Sequence, residues 1–297
     1  MRETERRTVI VFVVPYDSGR REVRMGRGPG ALLSGGLEGA LRAPGREIGI
    51  DAIEATGSFQ AENATAFELM RLVSDRVREA AGSGFFPLVL SGNCNASVGT
   101  VAGLGPEQVG VVWFDGHADL NTPHTSRSAF LDGMGLAIIV GDCWEAMAGT
   151  IPGSKPILEE NVVLVGARDF GAEERERLAR SGVTVVEPES VRREGAVEAL
   201  GGPLDALRAR VSKVYVHLDL DVLDPGFVAP ANGFAPPDGF AVDEVALAIR
   251  EVAGRVTIAA AGIASYDPSS DEGGRVSRAG IALARELAGG VDLPRLR

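Results

Sequence analysis

Residues 111–119 read Val-Val-Trp-Phe-Asp-Gly-His-Ala-Asp, an apolar run that ends in three side chains able to bind a metal ion. Residues 217–225 show a similar pattern and read His-Leu-Asp-Leu-Asp-Val-Leu-Asp-Pro. Alternate side chains of an extended chain point to the same side, so the ligand-type side chains of each stretch converge. They are Asp115, His117 and Asp119 in the first stretch and Asp219 and Asp221 in the second. Each close pair of carboxylates costs about 4 kcal/mol at an effective dielectric of about 20, so the two stretches predict one or two bound divalent cations.

Eight apolar runs rich in β-branched residues recur along the chain, each followed by a turn and usually by a helix-like segment. The runs are Thr8–Val14, Glu47–Ile53, Phe86–Leu90, Val109–Phe114, Val162–Gly166, Val183–Val186, Val214–Leu220 and Thr257–Ala264. The helical segments include Ala64–Ala81, Glu173–Ser181, Ala196–Arg210 and Val242–Val252. This alternation, without a linker or an internal repeat, predicts a single α/β domain over residues 1–297. A parallel sheet with helices on both faces is the expected architecture.

The composition narrows the functional class. A formal net charge of −11 disfavours a general nucleic-acid-binding protein, because such surfaces are usually basic. Only two cysteines are present, which argues against a disulfide-built secreted protein. The apolar run from Val9 to Val14 is too short to cross a bilayer, and no signal-peptide cleavage site follows it. We therefore expect a cytoplasmic protein with no membrane partner.

Two other segments bear on the site. Residues 90–99, Leu-Ser-Gly-Asn-Cys-Asn-Ala-Ser-Val-Gly, form a third strand end, in which Cys94 fits a nucleophile, a metal ligand or a packed small hydrophobe. Its place beside the same predicted pocket favours a ligand role. The Gly- and Arg-rich segment from Tyr16 to Leu41 is interpreted as a loop leading into a helix, with a phosphate cradle as the alternative. It matches neither the dinucleotide-binding nor the Walker pattern.

The two acidic motifs, Asp115-Gly-His117-Ala-Asp119 and Asp219-Leu-Asp221-Val-Leu-Asp-Pro, resemble those of the ureohydrolase (arginase/agmatinase) family of binuclear manganese hydrolases. The resemblance runs through most of the chain. It implies a three-layer α/β/α domain with a central, mostly parallel eight-stranded sheet. It also implies two divalent metal ions, manganese above all, a small-molecule substrate and a homo-oligomer, either a trimer or a hexamer.

Carried over residue by residue, the resemblance implies that Asp115 and Asp219 bridge two metals. His117 and Asp221 would complete one metal site, and Asp119 would serve the other. That other site normally takes a histidine from a Gly-Gly-Asp-His-Ser turn, and Cys94 stands at the histidine position. A thiolate favours zinc or iron over manganese, so the metal at this site is open.

The residues expected around the substrate depart from the family pattern. Asn121 and Ser128 match positions that contact the amino-acid end of the substrate in arginases, but Asp132 replaces the catalytic histidine. The acidic residue expected to meet the substrate amino group falls on Gly171, and Ser265 stands where a guanidinium-binding glutamate is expected. A buried guanidinium without an anion partner loses a charge-assisted contact of a few kcal/mol. Arginine itself is therefore not the expected substrate.

Several groups are candidates for proton transfer. Asp119 is both a ligand and a hydrogen-bond partner, and it could pass a proton to a leaving nitrogen. Asp132 replaces the family's catalytic histidine. His124 lies in the loop near it and could supply the missing acid–base group, with an ordinary surface histidine as the alternative. His217 shares strand phase with Asp219 but is interpreted as a supporting or core residue rather than a direct ligand.

The sequence thus predicts a metal-dependent hydrolase of a linear C–N bond in a guanidino or amidino compound. A catalytically inactive relative with one structural metal site, or none, is the main alternative. A deacetylase-like amide hydrolase with one zinc is weaker, because the tandem histidines of that family are missing.

Overall fold

A computed structural model describes residues 8–105 and 107–289 of the chain. Eight strands form one sheet in the order β2-β1-β3-β8-β7-β4-β5-β6, and every neighbouring pair is parallel. The strands are β1 Val9–Val14, β2 Ile48–Ala52, β3 Phe86–Ser91, β4 Val109–Phe114, β5 Val162–Val165, β6 Thr184–Val186, β7 Lys213–Asp219 and β8 Thr257–Ala264. All eight predicted strands are present, with ends that shift by at most one residue. The prediction of a mostly parallel eight-stranded sheet is confirmed.

Helices cover both faces of the sheet. They are α1 Gly28–Ser34, α2 Leu37–Leu41, α3 Glu62–Gly82, α4 Ala96–Leu104, α5 Gly135–Val140, α6 Glu145–Ala148, α7 Ala172–Ala179, α8 Pro188–Glu194, α9 Ala196–Arg208, α10 Val242–Arg255 and α11 Arg275–Gly289. Four of them extend or shorten the predicted helical segments by a few residues. The prediction that residues 1–297 form one domain reaches beyond the described residues and stays a prediction.

Alternation along β1 shows why the fold has three layers. Val11 and Val13 pack into one apolar core with α9, α10 and α11, whereas Phe12 and Val14 pack into a second core with α3, α4 and α5. Successive side chains of a strand point to opposite faces, so a strand that is apolar throughout must be covered on both sides. Each fully buried aliphatic or aromatic side chain contributes about 1.5–3 kcal/mol, and these two cores therefore hold the sheet between its helices.

The glycine-rich segment after β1 packs closely against the backbone of the loop after β8. Residues 16–41 form a short two-stranded ribbon, a 3-10 turn and the helices α1 and α2. A Cβ on Gly28 would lie 2.2 Å from the carbonyl oxygen of Tyr266, so only glycine allows this segment to pack against the loop after β8. This architecture agrees with the interpretation of the segment as a loop leading into a helix.

Within the described residues, no helix combines the length and the apolar character needed to cross a bilayer.

Candidate metal centre

The predicted site residues, three metal ligands and the substrate-contact residue Ser265, lie at the ends of four strands that are neighbours in the sheet. Cys94 follows β3, Ser265 follows β8, Asp219 ends β7 and Asp115 follows β4, and these strands lie side by side in that order. The carboxyl ends of parallel strands meet at one edge of a sheet, where ligands bind in open α/β folds. The topology therefore brings distant parts of the sequence to one place.

The first group of candidate ligands is Asp115, His117 and Asp221, hereafter the histidine–carboxylate group. One ligand atom of each lies within 4.8 Å of the other two. The Nδ1 atom of His117 is 3.4 Å from Oδ1 of Asp115 and 3.3 Å from Oδ2 of Asp221. Nitrogen and carboxylate oxygen donors at this spacing suit a divalent cation.

The charges in this group perturb each other strongly. Burial would lower the pKa of His117, but the carboxylates of Asp221 and Asp115 outweigh it and raise that pKa well above its usual range. Burial and the charge of Asp221 raise the pKa of Asp115 to about 6. For Asp221 the raising effect of burial is outweighed by His117, which holds the pKa of this carboxyl below its usual range. The group thus attracts positive charge, and a proton and a cation would compete for it.

Hydrogen bonds from neighbouring groups fix the carboxylates. Trp113 Nε1 donates to Oδ2 of Asp115 at 2.9 Å, and the backbone N–H of His117 donates to Oδ1 of the same side chain at 2.7 Å. The backbone N–H of Gly116 donates to Oδ1 of Asp221 at 3.0 Å. Asp219 accepts from the backbone N–H of Asp221 at 2.8 Å. Such outer contacts orient ligand side chains before a metal binds.

Arg168 braces the backbone behind this group. Its guanidinium donates to four backbone carbonyls, those of Gly166, Asp221, Pro236 and Pro237, over 2.7–3.0 Å. Arg168 therefore holds the backbone of the Asp221 loop against the neighbouring loops.

The second group of candidate ligands is Cys94, Asp115, His217 and Asp219, hereafter the thiol–imidazole group. One ligand atom of each lies within 4.8 Å of all the others. The thiol of Cys94 donates to Oδ2 of Asp219 at 2.9 Å, and its Sγ is 3.2 Å from the hydroxyl oxygen of Ser265. Burial, with added repulsion from Asp219, raises the pKa of Cys94 well above its usual range. Cys94 therefore reaches the predicted pocket, where a cation would be needed to stabilise its thiolate.

His217 was interpreted from the sequence as a supporting or core residue rather than a direct ligand. Its side chain is buried, stacks on Trp113 with ring centroids 3.8 Å apart, and has Nδ1 2.9 Å from the hydroxyl oxygen of Ser97. Its Nε2 has no hydrogen-bond partner among the described residues. Burial lowers the pKa of His217 to about 3, so the ring is neutral near pH 7. The signal available in the sequence was its strand phase with Asp219.

Asp119 lines the cavity but belongs to neither ligand group as defined by distance. It is buried, its φ of +52° is uncommon for a residue with a side chain, and its Oδ2 has no hydrogen-bond partner among the described residues. Burial and the carboxylate of Asp115 raise its pKa well above the usual range. Its role as a ligand stays a prediction.

Asp132 lies beneath the turn that carries Cys94. One of its oxygens accepts from the backbone N–H of Cys94, and the other accepts from Asn93 Nδ2 at 3.1 Å. Burial raises the pKa of Asp132 to about 8. These two hydrogen bonds hold the turn that carries Cys94 in position.

A cavity of about 180 Å³ opens above the two groups. The three predicted substrate-contact residues line it, namely Asn121, Ser128 and Ser265. Phe130 and Phe234 also line it, with ring centroids 5.8 Å apart, and the 54% exposure of Phe234 puts it at the open side. His124 is exposed and is not among the lining residues, so its predicted acid–base role gains no geometric support.

Glu174 was missed in the sequence. It is buried in the cavity wall, where Oε1 accepts from the backbone N–H of Leu120 at 2.9 Å. Acidic residues in the first turn of a helix usually stabilise the helix end, and Glu174 lies in the first turn of α7 beside the exposed Glu173. Tertiary packing buries Glu174 and leaves Glu173 exposed, and the spacing of residues in the sequence does not reveal this difference.

Comparison with known proteins finds close structural relatives. Residues 7–289 match the sequence profile of the arginase family. The arginase of Agrobacterium fabrum is 33% identical, over 97% of this chain and 93% of the relative. An arginase structure from Bacillus subtilis superposes with a TM-score of 0.87 at 29% identity, covering 95% of this chain and 99% of that chain. A formimidoylglutamase structure from Bacillus subtilis is similar in fold, with a TM-score of 0.78 at 18% identity over 97% of this chain and 88% of that chain.

Proposed function

Because the chain belongs to the arginase family, we propose that it is a metal-dependent hydrolase of a linear C–N bond in a guanidino or amidino compound. The observation that carries the proposal is that members of both groups line one cavity, His117 and Asp221 from the histidine–carboxylate group and Cys94 and Asp219 from the thiol–imidazole group. Both groups share Asp115, whose carboxylate is therefore suited to bridge two cations.

The donor atoms fit divalent metals. The histidine–carboxylate group offers one nitrogen and two carboxylates, which suits manganese, whereas the thiol of Cys94 favours a softer metal such as zinc or iron. Two buried polar atoms have no hydrogen-bond partner among the described residues, Oδ2 of Asp119 and Nε2 of His217, and they support the assignment of cations to this region. When bound, such cations supply Lewis acidity and activate water for attack on a trigonal carbon.

The residues of the chain have separate roles in this proposal. Asp119, a buried carboxyl in the cavity wall, is assigned to transfer a proton to the leaving nitrogen. Asp132 is assigned to positioning Cys94, because both of its oxygens already accept hydrogen bonds from that turn. His124 is left out of the reaction, since it is exposed outside the cavity wall.

The site defines the identity of the substrate less closely than the type of bond that is cleaved. Relatives named arginase at about 30% identity keep L-arginine among the candidates. Ser265 nevertheless offers no charge to a guanidinium, and the aromatic pair Phe130 and Phe234 favours an apolar segment near the cavity opening. We therefore expect L-arginine to react more slowly than a guanidino or amidino compound without its zwitterionic end.

A substrate panel tests this function. The full chain, loaded with manganese, zinc or both, is incubated with L-arginine, guanidino amines, guanidino carboxylic acids and formamidino compounds. Release of urea, ammonia or amine is expected for at least one of them, and Asp221→Asn should abolish it. Exposed Asp238 provides a matched control, because Asp238→Asn changes the same kind of group at a residue outside both ligand groups and outside the cavity lining. Metal-loaded protein that turns over none of these compounds would favour the inactive alternative, which the replacements at Asp132 and Ser265 motivate.

Assembly and location belong to the same proposal. A homo-oligomer, trimer or hexamer, follows from the family resemblance alone, and light scattering on the purified chain measures it directly.

A cytoplasmic location is supported by Cys94 and Cys143, which are both buried free thiols. Fractionation of cells that express the tagged chain tests the location.

A further inference from the structure

His217 carries a buried nitrogen whose purpose the proposed reaction does not explain. The residue is 1% exposed, and its Nε2 has no hydrogen-bond partner among the described residues. Buried polar atoms in proteins are nearly always satisfied by protein, water or an ion. This imidazole nitrogen thus needs a partner that the described part of the chain does not provide.

The ring is held in one orientation by contacts on its other side. Trp113 stacks on it at 3.8 Å, with 26° between the planes, and the hydroxyl oxygen of Ser97 lies 2.9 Å from Nδ1. Tyr215 OH lies 2.7 Å from the same Ser97 oxygen and can donate to it, which leaves that oxygen free to accept from Nδ1–H. In this tautomer Nε2 carries a lone pair, as a metal-ligating histidine requires.

Three other ligand-type atoms lie near a ring nitrogen of His217, and Nε2 is the ring nitrogen without a hydrogen-bond partner among the described residues. The Sγ of Cys94 and carboxylate oxygens of Asp115 and Asp219 all lie within 4.8 Å of the histidine nitrogen and of one another. We propose that His217 Nε2, Cys94 Sγ, Asp115 and Asp219 form a four-donor site for a zinc-class cation, beside the histidine–carboxylate site. The inference rests on the metal-binding part of the proposed function and is independent of hydrolysis.

The donor set explains why this site differs from its neighbour. One sulfur, one imidazole nitrogen and two carboxylates would supply four donors of the kinds that zinc binds, whereas the histidine–carboxylate group has no sulfur. Coordination would form one sulfur–metal bond, one nitrogen–metal bond and one oxygen–metal bond from each of the two carboxylates, and the thiol proton would leave to solvent. The imidazole that the family resemblance expects at position 94 is thereby supplied from β7 instead of from the turn after β3.

Cobalt substitution tests the site directly. The full chain is stripped with a chelator and titrated with up to two equivalents of Co²⁺, which reports thiolate bonding as a near-ultraviolet charge-transfer band. Cys94→Ser is expected to lose the band. Loss of a residue that only supports a ligand typically weakens metal binding about 10- to 100-fold. His217→Gln is expected to weaken binding at the thiolate site by more than this, because it removes a ligand. His124→Gln, at an exposed histidine, is the matched control and should change neither quantity.

A second measurement avoids any change at His217. The chain has three histidines, so in the double variant His117→Gln and His124→Gln the only imidazole left is His217. Zinc-edge X-ray absorption of this variant is expected to show a sulfur neighbour at about 2.3 Å together with one imidazole. Sulfur without imidazole, or neither, would overturn the assignment, as would a His217→Gln protein that keeps the cobalt band and its affinity.

The outcomes separate this inference from the proposed function. Thiolate and imidazole bound to zinc, with no turnover of any guanidino or amidino compound, support the site and contradict the hydrolase. Turnover by a protein whose zinc has no imidazole from His217 supports the hydrolase and contradicts the site.

Discussion

Trp113 Nε1 donates a 2.9 Å hydrogen bond to Oδ2 of Asp115, while the face of the same ring stacks on His217. One buried side chain of β4 thus orients a member of each candidate ligand group. Asp115 is also the carboxylate that the two groups share. The alignment of both groups therefore depends on a residue that binds no metal itself.

Trp113→Phe removes this donor and keeps an aromatic ring. We expect metal affinity to fall about 10- to 100-fold, because loss of an outer partner of a ligand typically has an effect of this size. Competition with a chromophoric chelator measures it. The chain has one other tryptophan, Trp144, whose Nε1 faces the sulfur of Met134. Trp144→Phe is therefore a matched control, and equal losses of affinity in both variants would contradict the prediction.

The buried carboxyl of Asp132 predicts a pH dependence of the metal-free protein. Its pKa is raised from about 3.9 in the unfolded chain to about 8 in the folded one, so the folded state binds the extra proton. The resulting stabilisation is complete below about pH 4 and is lost as the pH rises through 8. The lowered pKa of His217 makes stability rise with pH instead, but only below about pH 6.5. The melting temperature should therefore fall between pH 6.5 and 8.5.

Calorimetry of the chelator-treated protein at several pH values checks this expectation. Asp132→Asn should show a smaller fall, by at least about 2 °C, whereas the exposed control Asp238→Asn should behave as the wild type. Asp119 and Asp219 also have raised pKa values and leave part of the fall in place. A melting temperature that is constant or rises with pH over this range would contradict the role given to Asp132.

The sequence predicts the sheet well and the site unevenly, for physical reasons. Strands such as β4 were found because they are continuous apolar runs ended by polar residues, which is a local pattern. Cys94 was placed in the pocket correctly because strand ends of a parallel sheet converge. The free Nε2 of His217 could not be predicted, because it depends on how Ser97 and Trp113, distant in sequence, hold the ring. Contacts of that kind are fixed by packing, and no periodicity encodes them.

Arg168 should be essential for stability, and lysine should not replace it. The guanidinium donates to four carbonyls at once, including that of Asp221. A lysine ammonium has its three N–H donors on one nitrogen and cannot reach all four. We expect Arg168→Lys to lower the free energy of unfolding by about 2–4 kcal/mol, because several buried carbonyls lose charged donors. Denaturant unfolding measures this change. Arg180→Lys, at an arginine whose side chain is 75% exposed, should cost far less.

Glu174 should act on substrate binding and leave the reacting centre largely unaffected. Its buried carboxylate lines the cavity, and one oxygen accepts from the backbone N–H of Leu120. Glu174→Gln keeps an acceptor oxygen for that bond and removes the negative charge. If the substrate carries an amino or other cationic group on this side, KM should rise about 10- to 100-fold with little change in kcat, since a hydrogen bond to a charged group contributes about 1.5–3 kcal/mol.

Glu173 supplies the control for this variant, because it precedes Glu174 in α7 and is exposed. Glu173→Gln makes the same chemical change outside the cavity and should leave KM unchanged. Burial raises the pKa of Glu174, so the charge that binds a cationic group appears at higher pH than for an ordinary glutamate. The KM of the wild type should therefore fall as this carboxyl ionises, and the KM of Glu174→Gln should not. A KM that varies with pH to the same extent in both proteins would remove Glu174 from the substrate site.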